Sequence, residues 1–445
     1  MIFTQFVDDD LGCASYLVGD ESSGTAVVVD PAFAVEQYLA DAERRGVRVV
    51  RAIETHTHAD HLSGHGRLAL EHGVPVSIHP AAEAEYPHDS MEDGDEIAVG
   101  DVVLRCIHTP GHRPEHCCLA VVDRSRGADP WLVLTGDSLF VGDAARPDLA
   151  VEAREGAEGL FHSLRRLVEL GDGVEVYPGH VAGSLCGKAM SSKASTTIGF
   201  ERRFNRSLLQ NDLAAFINES AGISAPRPPN MGRIVALNRG PWVPAAARPE
   251  ELTLPPAGAQ VLDVRPVTDF ARGHIPGALS VPVFGGSFST KAAFVLDPDT
   301  PLVVAAGDED EVEAAARGLR SVAFLDLAGF VIGGGSATLA LVSIDELDDL
   351  LARGAELIDV REKDERDAGY IAGSRNIPYR MLSLGEDDLP RDRPIVTICE
   401  TGPRAAIAAS ILSAHGFDAR PVVDGGIDSW AAEGRPVVEF RRCGA

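Results

Sequence analysis

Residues 53–65 read IETHTHADHLSGH, which gathers His56, His58, Asp60 and His61 into one short stretch, with His65 just beyond. Imidazole and carboxylate are ligands for zinc, iron or manganese, and this run offers no thiolate. Further ligand types follow: His112 and His116 in HTPGHRPEHC, Asp137 in LTGDSLFVGD, and His180 in VYPGHVAGS. An ion held by such a set can activate water for hydrolysis, or it can keep coordination positions open for O2 and a substrate. Because Asp60, His61 and His180 are all present, residue types alone admit one metal or two. His116 is expected to support the site from behind. His65, His72, His79, His88, His108 and His162 are expected to be solvated or satisfied in the core.

A second locus lies near the other end of the chain. In IVTICETGPRAAIAASILSAHG (395–416), Cys399 falls between an apolar strand and an Ala-rich helix. The residues Glu400, Thr401, Gly402 and Pro403, ending at Arg404, would curl around the sulfur and point backbone N–H groups inward at a helix N-terminus. Such a cradle suits a sulfur anion and the anions it exchanges. Gly402 permits the tight curl and Arg404 adds positive charge, whereas Glu400 opposes an anionic donor. Cys186 in GSLCGK, just past His180, is a candidate for substrate handling or redox, and Arg146 in AARPDL either meets an anionic substrate or pairs with Asp148.

The elements that must position these groups are legible as apolar runs ending in polar residues: AVVVDP, VRVVRAIETH, DVVLRCIHTPGH, PWLVLTGDSLF and VEVYPGH. They read as strands that deliver chemistry at their ends, with helices over 34–46 and 62–72 between them. A Pro-rich stretch, 240–258, reads as a linker. Beyond it the chain repeats itself: VLDVRPVTDFARGHIPGALSVP (261–282) matches LIDVREKDERDAGYIAGSRNIP (357–378). Two copies of one α/β unit follow. Setting PLVVAAGDEDE (301–311) opposite PIVTICETGPR (394–404) puts Ala306 in place of the Cys and Glu311 in place of the Arg. The first copy therefore has neither thiol nor cation and is expected to be a spacer or docking domain. The expected organisation is a domain over 1–240, a linker over 241–258, an inactive copy over 259–340 and an active copy over 341–445.

At 445 residues the chain exceeds what one core sustains, so several domains are expected. A net charge of −27 argues against nucleic acid and anionic membranes as partners. No apolar run approaches a membrane span, and the acidic start MIFTQFVDDDLG lacks the features of a signal peptide, so a cytoplasmic protein is expected. Seven scattered cysteines with no C-x-x-C pair argue for free thiols.

The histidine and aspartate set resembles the metallo-β-lactamase superfamily over residues 1 to about 240, which implies an αββα fold followed by the α/β copies. In that superfamily, positions matching His56, His58 and His112 form one site and those matching Asp60, His61 and His180 a second, bridged by Asp137. CASYLVGD…AVVVDP, THTHADH, GDSLFVGDAARPDL and YPGHVAGSLCG resemble the persulfide dioxygenase branch. That resemblance implies one Fe(II) per chain on His56, His112 and Asp137, with His58, Asp60, His61 and His180 outside its coordination sphere or holding a second metal. It implies a low-molecular-weight thiol persulfide and O2 as substrates, and dimerisation. The loop at Cys399, with LIDVRE before it and VVDGGIDSW after it, resembles the rhodanese family of sulfurtransferases, which implies a persulfide on Cys399 exchanged with sulfite and thiosulfate. Phosphatase loops of the related type are one residue longer, so this pocket suits sulfur better than phosphate. The expected role is sulfide detoxification. The alternatives are a binuclear zinc thioester hydrolase of the glyoxalase II type and a sulfur-carrying interaction protein. The Cys399 loop counts against both.

Overall fold

The structure, a computed structural model, describes residues 1–148, 152–181, 191–221, 226–385 and 388–439. It divides into two compact units, Met1–Ala246 with Leu319–Phe324, and Ala247–Gly318 with Leu325–Ala445.

The first unit is built on two six-stranded sheets. One runs in chain order through Ile2–Val7 (β1), Ala14–Asp20 (β2), Thr25–Val29 (β3), Arg48–Ile53 (β4), Val76–Ile78 (β5) and Asp89–Ser90 (β6). The other comprises Glu96–Val99 (β7), Val102–His108 (β8), Cys117–Asp123 (β9), Leu132–Gly136 (β10), Glu175–Pro178 (β11) and Thr196–Thr197 (β12). Strands β2, β9 and β10 are buried along their whole length, which is why their sequences are continuous apolar runs and do not alternate. Between the sheets, Tyr16, Val18, Val27, Val29 and Ile53 pack on Leu104, Cys106, Cys117, Leu119 and Leu134. The outer face of the first sheet is covered by the helices Glu36–Arg44 and His65–His72, through Tyr38, Ala42 and Leu68. The outer face of the second is covered by Ala153–Val168, through Leu160, Leu164 and Leu167. Helix, sheet, sheet, helix is the expected αββα order. It leaves the carboxyl ends of β4 and β10 and the loops after β8 and β11 to carry polar groups.

The second unit holds two four-stranded parallel sheets of one topology. The first is ordered Leu279–Ser280 (β14), Gln260–Asp263 (β13), Leu302–Ala306 (β15), Leu327–Ile332 (β16). The second is ordered Arg375–Asn376 (β18), Glu356–Asp359 (β17), Ile395–Ile398 (β19), Ala419–Pro421 (β20). The same brace recurs in both. Arg265 is bidentate to Asp263 and caps the Gly273 carbonyl; Arg361 is bidentate to Asp359 and caps that of Gly369. The Pro-rich stretch is shared out. Trp242 stacks on Tyr86 in the first unit, while Glu250 and Leu252 exchange backbone hydrogen bonds with Phe330 in the second. Among the described residues no helix is long and apolar enough to cross a membrane.

Candidate metal centre and sulfur-carrying loop

His56 follows β4, His112 lies in the loop after β8, and Asp137 follows β10. All three are buried, and each offers an atom within 4.8 Å of the others'. His56 Nε2 is 3.8 Å and His112 Nε2 3.6 Å from Asp137 Oδ2. The surrounding hydrogen bonds dictate which nitrogen each ring presents. The Thr55 hydroxyl donates to Asp30 Oδ2 at 2.8 Å, so it accepts from His56 Nδ1 at 2.9 Å. His112 Nδ1 lies 3.2 Å from the Arg146 carbonyl, which can only accept. Both rings therefore turn an unprotonated Nε2 inward. Burial and the neighbouring imidazoles push His56 well below the usual histidine range, so it stays neutral, as a ligand must. Burial works against ionised Asp137, but His180 and His112 outweigh it and hold the carboxylate below its ordinary range.

Behind Asp137, His116 Nε2 accepts the Asp137 backbone N–H at 3.0 Å, and its Nδ1 donates to Thr109 Oγ1 at 2.9 Å. His116 thus anchors the main chain of Asp137, with its Nε2 engaged there. Gly136, at φ +45°, completes the turn: a Cβ there would sit 2.7 Å from His116 Nε2 and 2.8 Å from Thr55 Oγ1.

The remaining ligand types are tied to one another. His180 spans two carboxylates, with Nδ1 2.7 Å from Asp137 Oδ1 and Nε2 2.7 Å from Asp60 Oδ2. Burial alone would lower its pKa, but the two carboxylates outweigh that and raise it to about 10. His61 Nδ1 takes the other Asp60 oxygen at 3.1 Å. His58 turns elsewhere, toward Asp30 and Glu54, and its atoms group with those two or with Asp60 and His61. Arg146 is bidentate to Asp148 at 2.6 and 2.7 Å, so of its two expected roles the ion pair is formed. Cys186 lies outside the described residues. Cys13, Cys106, Cys117 and Cys118 are buried.

Asp30, Glu54 and His65 escaped the sequence reading as parts of the site. The signal was there: Asp30 and Glu54 both follow an apolar strand with a carboxylate, in VVVDP and RAIETH, as Asp137 does.

In the second unit Cys399 follows β19, and the helix Pro403–Ala414 begins four residues later. Gly402, at φ +116°, turns its N–H back to Cys399 Sγ at 3.1 Å. A Cβ there would meet the Val423 carbonyl oxygen at 2.9 Å. The helix N-terminus adds partial positive charge beneath the sulfur. Arg404 is bidentate to Glu365 at 2.7 Å for both bonds and lies 3.6 Å from Glu400. The cation is therefore largely neutralised by its own neighbours. In the first copy Ala306 ends β15. The backbone bonds Val264 N–H to Ala305 O and Val360 N–H to Ile398 O fix Ala306 as the counterpart of Cys399.

Residues 8–180 match the model of the metallo-beta-lactamase superfamily, and residues 249–337 and 343–433 each match the rhodanese-like domain. An uncharacterized protein of Mycobacterium leprae is 32% identical over 236 residues, 46% of this chain and 97% of that one. The mitochondrial persulfide dioxygenase ETHE1 of Bos taurus is 33% identical over 171 residues, which cover 37% of this chain and 63% of that protein. Under two thirds of that relative's length is thus matched. Among solved structures, a metallo-beta-lactamase from Staphylococcus aureus subsp. aureus COL is 28% identical, with a TM-score of 0.69, covering 75% of this chain and 99% of that one. That span exceeds the first unit alone.

Proposed function

The chain belongs to the metallo-β-lactamase superfamily and carries two rhodanese-like domains, and from that premise we propose that its first unit is an Fe(II)-dependent persulfide dioxygenase and its last domain a sulfurtransferase. The net reaction of the first unit takes a thiol persulfide, O2 and water to the thiol, sulfite and two protons. The second transfers a sulfane sulfur through Cys399, forming thiosulfate from sulfite or consuming it. Sulfide detoxification in the cytoplasm is the setting that joins the two.

One observation carries the reading. His56 Nε2 and Asp137 Oδ2 are buried without a hydrogen-bond partner, facing each other and His112. Polar atoms left unpaired in a buried site are costly unless a cation takes them. Two imidazoles and one carboxylate are the donor set that iron uses when it must keep positions open, and Fe(II) here would supply those positions to O2 and the terminal persulfide sulfur. The chain's own part is to hold that set in place. Thr55 and the Arg146 carbonyl fix the two rings, and His116 anchors the Asp137 main chain. His180 occupies the carboxylate's other oxygen. Burial of all three groups keeps bulk water away. The persulfide dioxygenase among the relatives supports the same reading.

Sulfite released from one unit meets the other at raised effective concentration, because both are on one chain. Cys399 would accept the sulfane sulfur with the Gly402 N–H donating to it.

A second reading, a binuclear zinc hydrolase, draws on the grouping of His58, Asp60 and His61. It requires those residues to give up their present partners. Elemental analysis combined with an oxygen electrode on glutathione persulfide separates the two. About one iron per chain with O2 uptake is expected; about two zinc ions with no uptake overturns the dioxygenase.

A further inference from the structure

In a binuclear centre of this superfamily the residue at His58 is a metal ligand, yet here its ligand atoms fall outside the group of His56, His112 and Asp137, although its ring lies 4.3 Å from that of His56. The reason lies on its far side. His58 Nε2 is 3.2 Å from Glu54 Oε2 and 3.3 Å from Asp30 Oδ1, and all three side chains are buried. Each carboxylate is itself anchored. Glu54 Oε1 accepts from Ser63 Oγ and contacts His65 Nδ1 at 3.0 Å. Asp30 accepts the Thr55 N–H at 2.7 Å and its hydroxyl at 2.8 Å. The backbone is pinned as well, since Asn238 Nδ2 donates to the carbonyls of His58 and His61 at 3.0 and 2.8 Å, and Asn238 Oδ1 accepts the Ser63 N–H. With the main chain fixed, the freedom left to His58 is rotation of its side chain.

We propose that Glu54, assisted by Asp30, is a latch that holds the His58 ring away from His56, His112 and Asp137 and so limits the centre to one ion. The inference rests on the mononuclear reading above and extends it to a positioning residue. A buried carboxylate needs a partner, and Glu54 Oε2, which makes no hydrogen bond among the described residues, has His58 Nε2 3.2 Å away as an ion-pair contact. Without that oxygen the ring keeps only the 3.3 Å contact to Asp30 and rotates more easily toward His56 and His112, while Asp60 and His61, whose ring lies 4.2 Å from it and which already group with it, offer donors to a second cation.

Glu54→Gln tests this with little change of shape. The amide keeps an oxygen for Ser63 and His65 but turns an N–H2 toward His58, which then meets a donor in place of an acceptor. Metal-free protein would be titrated with Zn(II) alone, with stoichiometry read by calorimetry and by elemental analysis after dialysis. The parent chain is expected to take about one ion and the E54Q protein about two, and E54Q/H58A is expected to return to one. Ser63→Ala, which loosens Glu54 without altering its charge, should give the same second ion more weakly and serves if E54Q does not fold. A stoichiometry of one in both E54Q and Ser63→Ala overturns the latch while leaving the dioxygenase standing. A second ion that survives in E54Q/H58A also overturns it. Two ions in the parent chain remove both readings.

Discussion

The two rhodanese-like copies are one scaffold with two different loops. Their sheets have the same order, and the Asp–Arg brace recurs bond for bond at Asp263 and Arg265 and at Asp359 and Arg361. At the end of the third strand in chain order they part. In the second copy the Gly402 N–H donates to Cys399 Sγ. In the first, Glu311 reaches back so that its Oε2 accepts the Gly307 N–H at 2.7 Å, and Asp308 caps the Glu311 N–H. The donors are not equivalent, because Gly307 is the counterpart of Glu400 and not of Gly402. The copies therefore differ by more than the nucleophile: where the second has Arg404, the first has a carboxylate tied to its own loop backbone, on the same scaffold.

The largest effect expected from breaking this difference is Cys399→Ser. Sulfur transfer between thiosulfate and cyanide should fall at least about 1000-fold, since the hydroxyl cannot carry a sulfane sulfur. O2 uptake on persulfide should be unchanged, because the metal-binding groups are elsewhere in the chain. Residual transfer within about tenfold of the parent would mean that another thiol carries the sulfur.

A smaller effect should follow from releasing Arg404. Glu365 holds that guanidinium bidentately, and the pair, with Glu400 close by, leaves little positive charge for an incoming dianion. Burial raises the Glu365 pKa, but Arg404 outweighs it, so the carboxylate is ionised below the usual range and the pair persists through neutral pH. A group with a depressed pKa loses its contribution only as pH falls through that lowered value, so mild acidification does not free Arg404. Substitution does. Glu365→Gln should lower the KM for thiosulfate about 3- to 10-fold with kcat changing less. An unchanged KM would show that Arg404 does not meet the donor.

Much of this was legible in the sequence for a physical reason. Apolar strands buried on both faces are continuous runs, and the first ionisable residue after each run marks the sheet's end. That rule finds Asp137 and His180 directly, and Glu54 ahead of His56 after β4, with His112 shortly after β8. Direct repetition revealed the two copies, and alignment placed Ala306 opposite Cys399, as the strand registers do. Orientation was not legible. His58 and His56 are of one type and two positions apart. They differ because Asp30 and Glu54 attract one ring while the Thr55 hydroxyl, already committed to Asp30, fixes the other. Arg146 had two candidate partners in sequence, and its pairing with Asp148 depends on a loop conformation that no periodicity encodes.

The smallest effect concerns the first copy, and it is the most demanding test of the comparison. If only the missing thiol distinguished the copies, Ala306→Cys would create a working loop on an intact scaffold. The Glu311 carboxylate is tied to the Gly307 N–H, next to position 306, however, so a thiolate at 306 would lie close to its charge. Like charges oppose each other, so the new thiol should stay protonated and poorly reactive. In a Cys399→Ser background, Ala306→Cys is therefore expected to add less than about a twofold gain over the residual rate. Ala306→Cys with Glu311→Arg, which removes the internal anion and restores the cation, should rise above that single variant. Equal rates for the two would mean that Glu311 does not lie close to the thiol in solution, and the thiol alone would then account for the difference between the copies.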